Sequence, residues 1–322
     1  MNDYVRILGA ILMGFLPTLI CLKILPFGKV LLGHDRGRKF AVGSEVNKGK
    51  PTGVGFYFIT IFAIIACIFG LFQINLLCMY VVIYVAMIFG FLDDRSVNAW
   101  GEYIKGFLDI ATAIFGGYMF ATMFCHDFYI SLTGQNIVIS PILYAVLGAV
   151  LITVSINATN ATDGVDGLSG TLTIITIGTL IAAKALVAGI STDEIIPGAV
   201  MIAVLLAYLI FNFNPSKMLM GDAGSRGIGF FIAFYAMYLR LPVAYLIVGI
   251  PFLIDGGLSI LKITIGRLTK KKIIILKNVT TPIHDHLKKR MGFSVKKTWA
   301  VIVACAVVID LIYIILVAVL NR

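Results

Sequence analysis

Charged side chains are scarce in this chain. Asp, Glu, Lys and Arg make up 13% of its 322 residues, while 60% are hydrophobic and the mean hydropathy is +1.00. A soluble domain usually carries about 25% charge. That deficit excludes an ordinary soluble enzyme, and the apolar excess excludes a disordered chain. Cysteine is sparse as well. Cys21, Cys67, Cys78, Cys125 and Cys305 all fall inside apolar stretches and form no CxxC pair. This excludes a secreted disulfide scaffold, and the five read as small core residues. Internal repeats and low-complexity tracts are lacking, so residues 1–322 read as one membrane domain. The net charge of +10 would suit nucleic acid, but the basic residues lie in short loops between apolar runs, and no nucleic-acid partner is expected.

What is present is hydrophobicity in lengths that match a bilayer. About 20 apolar residues cross the hydrocarbon core as a helix. Ten segments qualify: Val5–Leu25, Val54–Phe72, Ile74–Leu92, Phe107–Cys125, Ile137–Ala158, Leu168–Ile190, Ile195–Phe213, Gly227–Leu239, Val243–Ile265 and Trp299–Leu320. The eighth is short. The first lacks a basic leader and a small-residue cleavage site and reads as a retained helix. The loops then fall into two alternating sets. Twenty of the 26 lysines and arginines lie in 27–53, 93–106, 159–167, 214–226 and 267–298, whereas the opposite loops hold only Arg240. Basic residues accumulate on the cytoplasmic side. The expected fold is therefore an all-α polytopic membrane protein with ten transmembrane helices, both termini outside, and its chemistry in a cleft on the cytoplasmic face. Lys23, Lys184 and Lys262 lie near span ends, where they can snorkel. Asp255, in Pro251-Phe-Leu-Ile-Asp255-Gly256-Gly257, predicts a ninth helix that is kinked or broken with its carboxylate toward the bundle.

The acidic groups share the asymmetry. Asp93 and Asp94 close the third span, Asp163 and Asp166 follow the fifth, Asp222 follows the seventh, and Asp285 follows the ninth between His284 and His286. A transporter would more often carry such groups near the midplane, within an inverted repeat. Adjacent helical side chains diverge by about 100°, so Asp93 and Asp94 need not share a ligand; one suits a base or nucleophile and the other a metal ligand or orienter. The Asn157–Gly170 segment alternates amides, hydroxyls and carboxylates with glycines, which fits a nucleotide or a polar turn. Asp222, amid glycines at a helix start, fits a Mg²⁺-bound phosphate or a helix cap. His284-Asp285-His286 with Lys288, Lys289 and Arg290 suits a diphosphate clamp or a transition metal, and the basic cluster also suits a contact to anionic membrane lipids.

Taken together, these motifs resemble the polyprenyl-phosphate N-acetylhexosamine-1-phosphate transferase superfamily, and within it most closely the phospho-N-acetylmuramoyl-pentapeptide transferases. The resemblance rests on a DD pair after the third span, NxxNxxDGxDGL from Asn157, NxxPxxxxMGDxGS from Asn212, and Pro282-Ile283-His284 with Gly292-Phe293-Ser294. It implies Mg²⁺-dependent transfer of a phospho-sugar from UDP-MurNAc-pentapeptide to undecaprenyl phosphate at the bacterial inner membrane, forming lipid I and UMP, with a homodimer possible. A sister enzyme using UDP-GlcNAc is the nearest alternative. By resemblance Asp93, Asp94, Asp222 and His284 are catalytic, and Asp222 holds the metal. Lys48, Thr52, Asn160, Asp163, Asp166, Asn212, Leu219 and His286 would contact substrate. Three positions depart from the family. Asp285 replaces the middle of three histidines, Lys48 lies one place from the expected lysine, and Leu219 stands where a phenylalanine usually meets the uracil.

Overall fold

The computed structural model describes residues 2–24, 32–35, 47–70, 73–98, 100–270, 272–273 and 275–321. Residues 27–31 and 36–46 of the basic first loop, including Arg36, Arg38 and Lys39, lie outside the described residues, as do Leu25 and Phe72 at the ends of two expected spans.

Among the described residues each of the ten expected segments contains a helix, though the bounds shift. In chain order the helices are α1 (Asp3–Ile24), α2 (Gly55–Phe69), α3 (Ile74–Arg95), α4 (Glu102–Met123), α5 (Pro141–Thr162), α6 (Leu168–Ala188), α7 (Thr192–Asn212), α8 (Gly221–Tyr238), the bent pair α9 (Pro242–Val248) and α10 (Ile250–Leu268), a short α11 (Ile283–Lys289), and α12 (Val295–Leu320). Among the described residues seven are long and apolar enough to cross a membrane, and the bent pair makes an eighth if it counts as one span. Helix α2 has only 15 residues. Helix α8 begins at Gly221, six residues before the expected eighth span. The reason is electrostatic: Asp222 and Arg226 read as loop residues by hydropathy, yet inside the bundle they are paired and the helix extends through them.

Helix α8 is the axis of the bundle. It packs against α2, α3, α5, α6, α7 and α9, and every residue from Asp222 to Met237 is buried. Its Phe230, Phe231, Phe234 and Tyr235 fill the interior, with Phe62 edge-on to Phe231. Around it, lipid-facing side chains such as Ile110, Ile114, Phe115, Val146 and Val150 remain exposed. Small residues let α4 and α5 approach closely: a Cβ on Gly117 would sit 2.5 Å from the Ala145 carbonyl oxygen and 2.8 Å from the Ala149 nitrogen. Such contacts are a common basis of helix association where lipid removes the hydrophobic drive.

The ninth helix is broken as expected. Helices α9 and α10 bend by 58°, and a π-helical turn at Leu253–Gly257 carries Asp255, 1% exposed, into the bundle. Three details differ from expectation. Residues 126–139 include a hairpin, β1 (Asp127–Ile130) paired with β2 (Gln135–Val138), which delays the fifth helix to Pro141. Lys184 does not snorkel; it is buried, 3.4 Å from Glu194 and stacked over Tyr129. The spans also carry two further acids, Asp109 and Asp310, and Asp310 accepts a 2.6 Å bond from Thr179. All the cysteines are free thiols.

Replacing Gly117 with valine is expected to lower stability by about 1–3 kcal/mol through overpacking at the α4–α5 contact. Thermal unfolding in detergent checks this; an unchanged midpoint would show that the helices can part without cost.

Candidate active site

The two ends of the bundle carry different polar groups. Helix α8 runs from Asp222 at its start to Arg240 just beyond its end, where Arg240 pairs with Asp127 of the hairpin at 2.9 Å. Asp93, Asp94, Asn160, Asp222 and His284 gather at the opposite end, where α3 and α5 finish and α8 starts.

Asp94, on the last turn of α3, caps α8. Its Oδ1 accepts the Asp222 N–H at 3.1 Å and its Oδ2 the Ala223 N–H at 3.0 Å. A carboxylate at a helix N-terminus satisfies unpaired donors and complements the helix dipole. Gly221 makes the approach possible: its φ is +68°, and a Cβ there would collide with the Asp94 carboxylate and lie 2.6 Å from the Gly53 nitrogen. Asp93, one residue earlier, points elsewhere. Its Oδ1 accepts the Trp100 N–H at 2.6 Å, and its Oδ2 contacts the Lys105 ammonium.

Lys105, from the first turns of α4, also reaches Asp222 Oδ2 at 3.0 Å. Two carboxylates from two helices thus converge on one cation. The Asn160 amide donates to Asp222 Oδ1 at 2.9 Å and to Ser225 at 2.8 Å. Asn160 lies on the last turn of α5, not in a loop. Arg226, one turn after Asp222, approaches Asp222 Oδ2 at 3.4 Å and forms a closer ion pair with Asp109 of α4.

Asp163 sits half-buried at the end of α5. Asp166 binds the loop before α8: its Oδ2 accepts from the Asn214 amide at 2.9 Å and the Ser216 N–H at 3.0 Å. Asn212 is used internally, accepting from Gly167 N–H and donating to the Met218 carbonyl, both at 2.9 Å. Thr52 pairs with Gly33 in a two-residue strand contact, and the adjoining Pro51 carbonyl accepts the Leu219 N–H at 2.9 Å. Leu219 itself is half-buried. Lys48 is exposed, whereas the Lys50 ammonium donates to Ser216 at 3.0 Å, on the same loop as Asp166.

The histidine segment forms α11. His284, 3% exposed, is held twice by Asp255, through its backbone N–H at 2.7 Å and its Nδ1 at 2.8 Å. Its ring lies against Gly164, with no room there for a Cβ, and the Lys288 ammonium donates to the Gly164 carbonyl at 3.1 Å. The 160–164 segment therefore touches Asp222 on one side and the histidine helix on the other. His286 turns inward and accepts the Thr280 N–H at 3.2 Å. Asp285 faces Lys289 at 2.8 Å and Lys288 at 3.3 Å. Burial opposes its ionisation, but the Lys289 hydrogen bond and the His284 and Lys288 charges outweigh it and hold the carboxyl below the usual carboxylate range.

Sequence reading missed Lys105, Asp109 and the pairing role of Arg226. The signal was spacing: Lys105 and Asp109, like Asp222 and Arg226, are four apart on a helix and share a face. Among the described residues no three His, Cys, Asp or Glu side chains form a metal cage. The oxygen-rich set of Asp93, Asp222 and Asn160 nevertheless fits a hard cation that takes one or two carboxylates and completes its shell with water and phosphate, as Mg²⁺ does.

Comparison with known proteins bears on the family rather than on single residues. Residues 76–240 match the family described as Glycosyl transferase family 4. The phospho-N-acetylmuramoyl-pentapeptide-transferase of Treponema pallidum (strain Nichols) is 31% identical over 91% of this chain and 85% of its own length. The protein of that name from Lacticaseibacillus paracasei is 30% identical over 78% of each chain.

The geometry divides Asp93 from Asp94. Asp94→Ala removes both hydrogen bonds to the start of α8, leaves those buried N–H groups unpaired, and is expected to cost about 2–3 kcal/mol of stability. Asp93→Ala is expected to cost less, because Lys105 keeps Asp222 as a partner. Unfolding of the two variants side by side checks the order, and a less stable Asp93→Ala would reverse the assignment.

Proposed function

The chain belongs to the phospho-N-acetylmuramoyl-pentapeptide transferase family, and on that footing we propose that it transfers phospho-N-acetylmuramoyl-pentapeptide from its UDP-activated donor to undecaprenyl phosphate, giving lipid I and UMP. Family membership makes it an enzyme of phospho-sugar transfer in peptidoglycan synthesis, and its apolar helices make it a multi-pass membrane protein. The proposal extends to ten spans, both termini outside, and the Asp222 end facing the cytoplasm across the bacterial inner membrane. The distribution of basic residues supports that orientation.

The observation that carries the proposal is the convergence of Asp93 and Asp222 on Lys105 beside Asn160. Phosphoryl transfer needs positioning and charge neutralisation more than covalent chemistry from the protein. Asp222, with Asp93 beside it, would hold Mg²⁺, which when bound supplies positive charge to the donor diphosphate. Asp93 orients the acceptor phosphate and takes its proton. The acceptor oxygen then bonds to the sugar-bearing phosphorus, the bond between the two donor phosphates breaks, and UMP leaves with the electron pair. Asp94 has both oxygens committed to α8 and acts by fixing Asp222. Asp163, Asp166, Asn212, Leu219 and Thr52 shape the donor side. Lys50, on the Ser216 loop, supplies the cation expected of Lys48. His284, Lys288 and Lys289 border the other side of the 160–164 turn.

The test is UMP release from defined donors with undecaprenyl phosphate, with and without Mg²⁺. Turnover is expected with the muramoyl pentapeptide donor and to be lost, together with its Mg²⁺ response, in Asp222→Asn. Preference for UDP-GlcNAc would move the chain to the sister hexosamine transferases. A phosphorylated protein trapped with donor alone would refute direct attack.

A second prediction concerns the two lysines. Lys50→Met is expected to lower kcat/KM for the donor about tenfold or more, on the scale of losing one charge-assisted contact, and Lys48→Met much less. The same assay decides it, and a larger loss in Lys48→Met would restore Lys48 to the donor site.

A further inference from the structure

Asp109 and Arg226 form a buried ion pair beside the site. Both are 5% exposed, and both lie one helical turn from the groups that meet at Asp222. Asp109 follows Lys105 by four residues on α4, and Arg226 follows Asp222 by four on α8. Asp222 Oδ2 therefore has two cations within reach, Lys105 at 3.0 Å and Arg226 at 3.4 Å. The Arg226 guanidinium turns its shorter contact to Asp109 through Nη1 and leaves the longer one, through Nη2, to Asp222. Among the described residues its buried Nε has no hydrogen-bond partner, and Asp109 and Asp222 are the carboxylates its guanidinium meets.

We infer that Asp109 is a positioning residue that draws the Arg226 guanidinium away from Asp222 and so keeps the Asp222 carboxylate available to a divalent cation. The inference rests on the proposed metal role of Asp222. Its physical basis is competition for one charge. A buried guanidinium without a counter-ion is strongly unfavourable, and without Asp109 the nearest remedy is full engagement with Asp222, only one turn away. A carboxylate so engaged offers less to an incoming metal, because the cation must enter beside a full positive charge at short range in a low-dielectric setting. With Asp109 present, the Asp109–Arg226 pair is close to neutral and Asp222 retains its negative charge. Asp109 never touches the metal or a substrate in this scheme; it acts through Arg226.

The test uses the intact protein in detergent and Mn²⁺ alone as the probe, read by the loss of the free-ion electron paramagnetic resonance signal, with no substrate and no turnover. Wild-type protein is expected to bind and Asp222→Asn not to. If Asp222→Asn binds as well as wild type, the metal reading itself is wrong and the inference falls with it. Given that control, Asp109→Asn is expected to weaken Mn²⁺ binding about tenfold or more, as losing the counter-charge to a buried cation implies. The double variant Asp109→Asn/Arg226→Gln is expected to return to within about threefold of wild type, because it removes the competitor as well. A merely structural role for Asp109 would not be rescued by discarding its partner. Unchanged affinity in the single variant, or no recovery in the double, overturns the inference. Should Asp109→Asn fail to fold, Arg226→Gln alone supplies the answer: severalfold tighter binding supports the inference, and equal or weaker binding overturns it.

Discussion

A carboxylate cannot stand alone inside an apolar bundle, and this fold is organised around meeting that demand at Asp222. Leaving one ion without compensation in such surroundings costs several kcal/mol. Here charges alternate from Asp93 through Lys105, Asp222 and Arg226 to Asp109, with the Asn160 amide on the remaining oxygen. The groups come from α3, α4, α5 and α8. The requirement that stabilises Asp222 therefore also fixes four helix ends relative to one another. It allows α8 to begin with charged residues and still be buried along its length, which places the clustered polar groups at the tip of a fully enclosed element.

Legibility in the sequence follows the kind of force involved. The helical segments were readable because hydrophobic length is a local property, and the ninth helix announced its bend through Pro251 and the Asp255-Gly256-Gly257 run. Motif residues such as Asp93, Asp94, Asn160 and Asp222 were readable by resemblance, and the fold brings those four into one cluster. What escaped was pairing. Hydropathy places Asp222 and Arg226 outside a span because it counts each charge as if it stood alone. Asp109 went unread because nothing local reveals that its partner is 117 residues away. Lys50 was passed over for Lys48 because both lie in the turn before Pro51, and nothing in their spacing says which ammonium reaches the Ser216 loop.

The Asp255–His284 contact shows what the bend is for. An uninterrupted α-helix keeps its backbone groups paired along its own axis, whereas a π-turn opens the ladder and turns its side chains by an extra step. At Leu253–Gly257 that step brings Asp255 to the buried backbone and ring of His284, 29 residues later. Helix α11 is thereby fastened to the membrane domain at its first turn. His284 in turn abuts Gly164, so the histidine helix is positioned against the α5 end that carries Asn160. With Nδ1 facing the Asp255 carboxylate, Nδ1 is the ring's donor to it, and Nε2 is turned toward Gly164 of the 160–164 segment.

Asp93 and Asp94 show how adjacent residues of the same type come to do different things. Their side chains leave the last turn of α3 about 100° apart. One direction meets the unpaired N–H groups at the start of α8, which commit both oxygens of Asp94. The other meets Lys105 in the space that Asp222 also faces. Exchanging the two roles would require turning the end of α3 by most of a residue step, and the Gly221 backbone, already in the left-handed region against Asp94, leaves no room for that rotation. The proposed transfer from a nucleotide donor to a lipid phosphate would gain most from groups that do not need to reorganise as charge moves. A carboxylate held by two backbone donors of a buried helix provides such rigidity for Asp222, while its neighbour, held by one backbone donor and one flexible lysine, retains the freedom to meet a substrate.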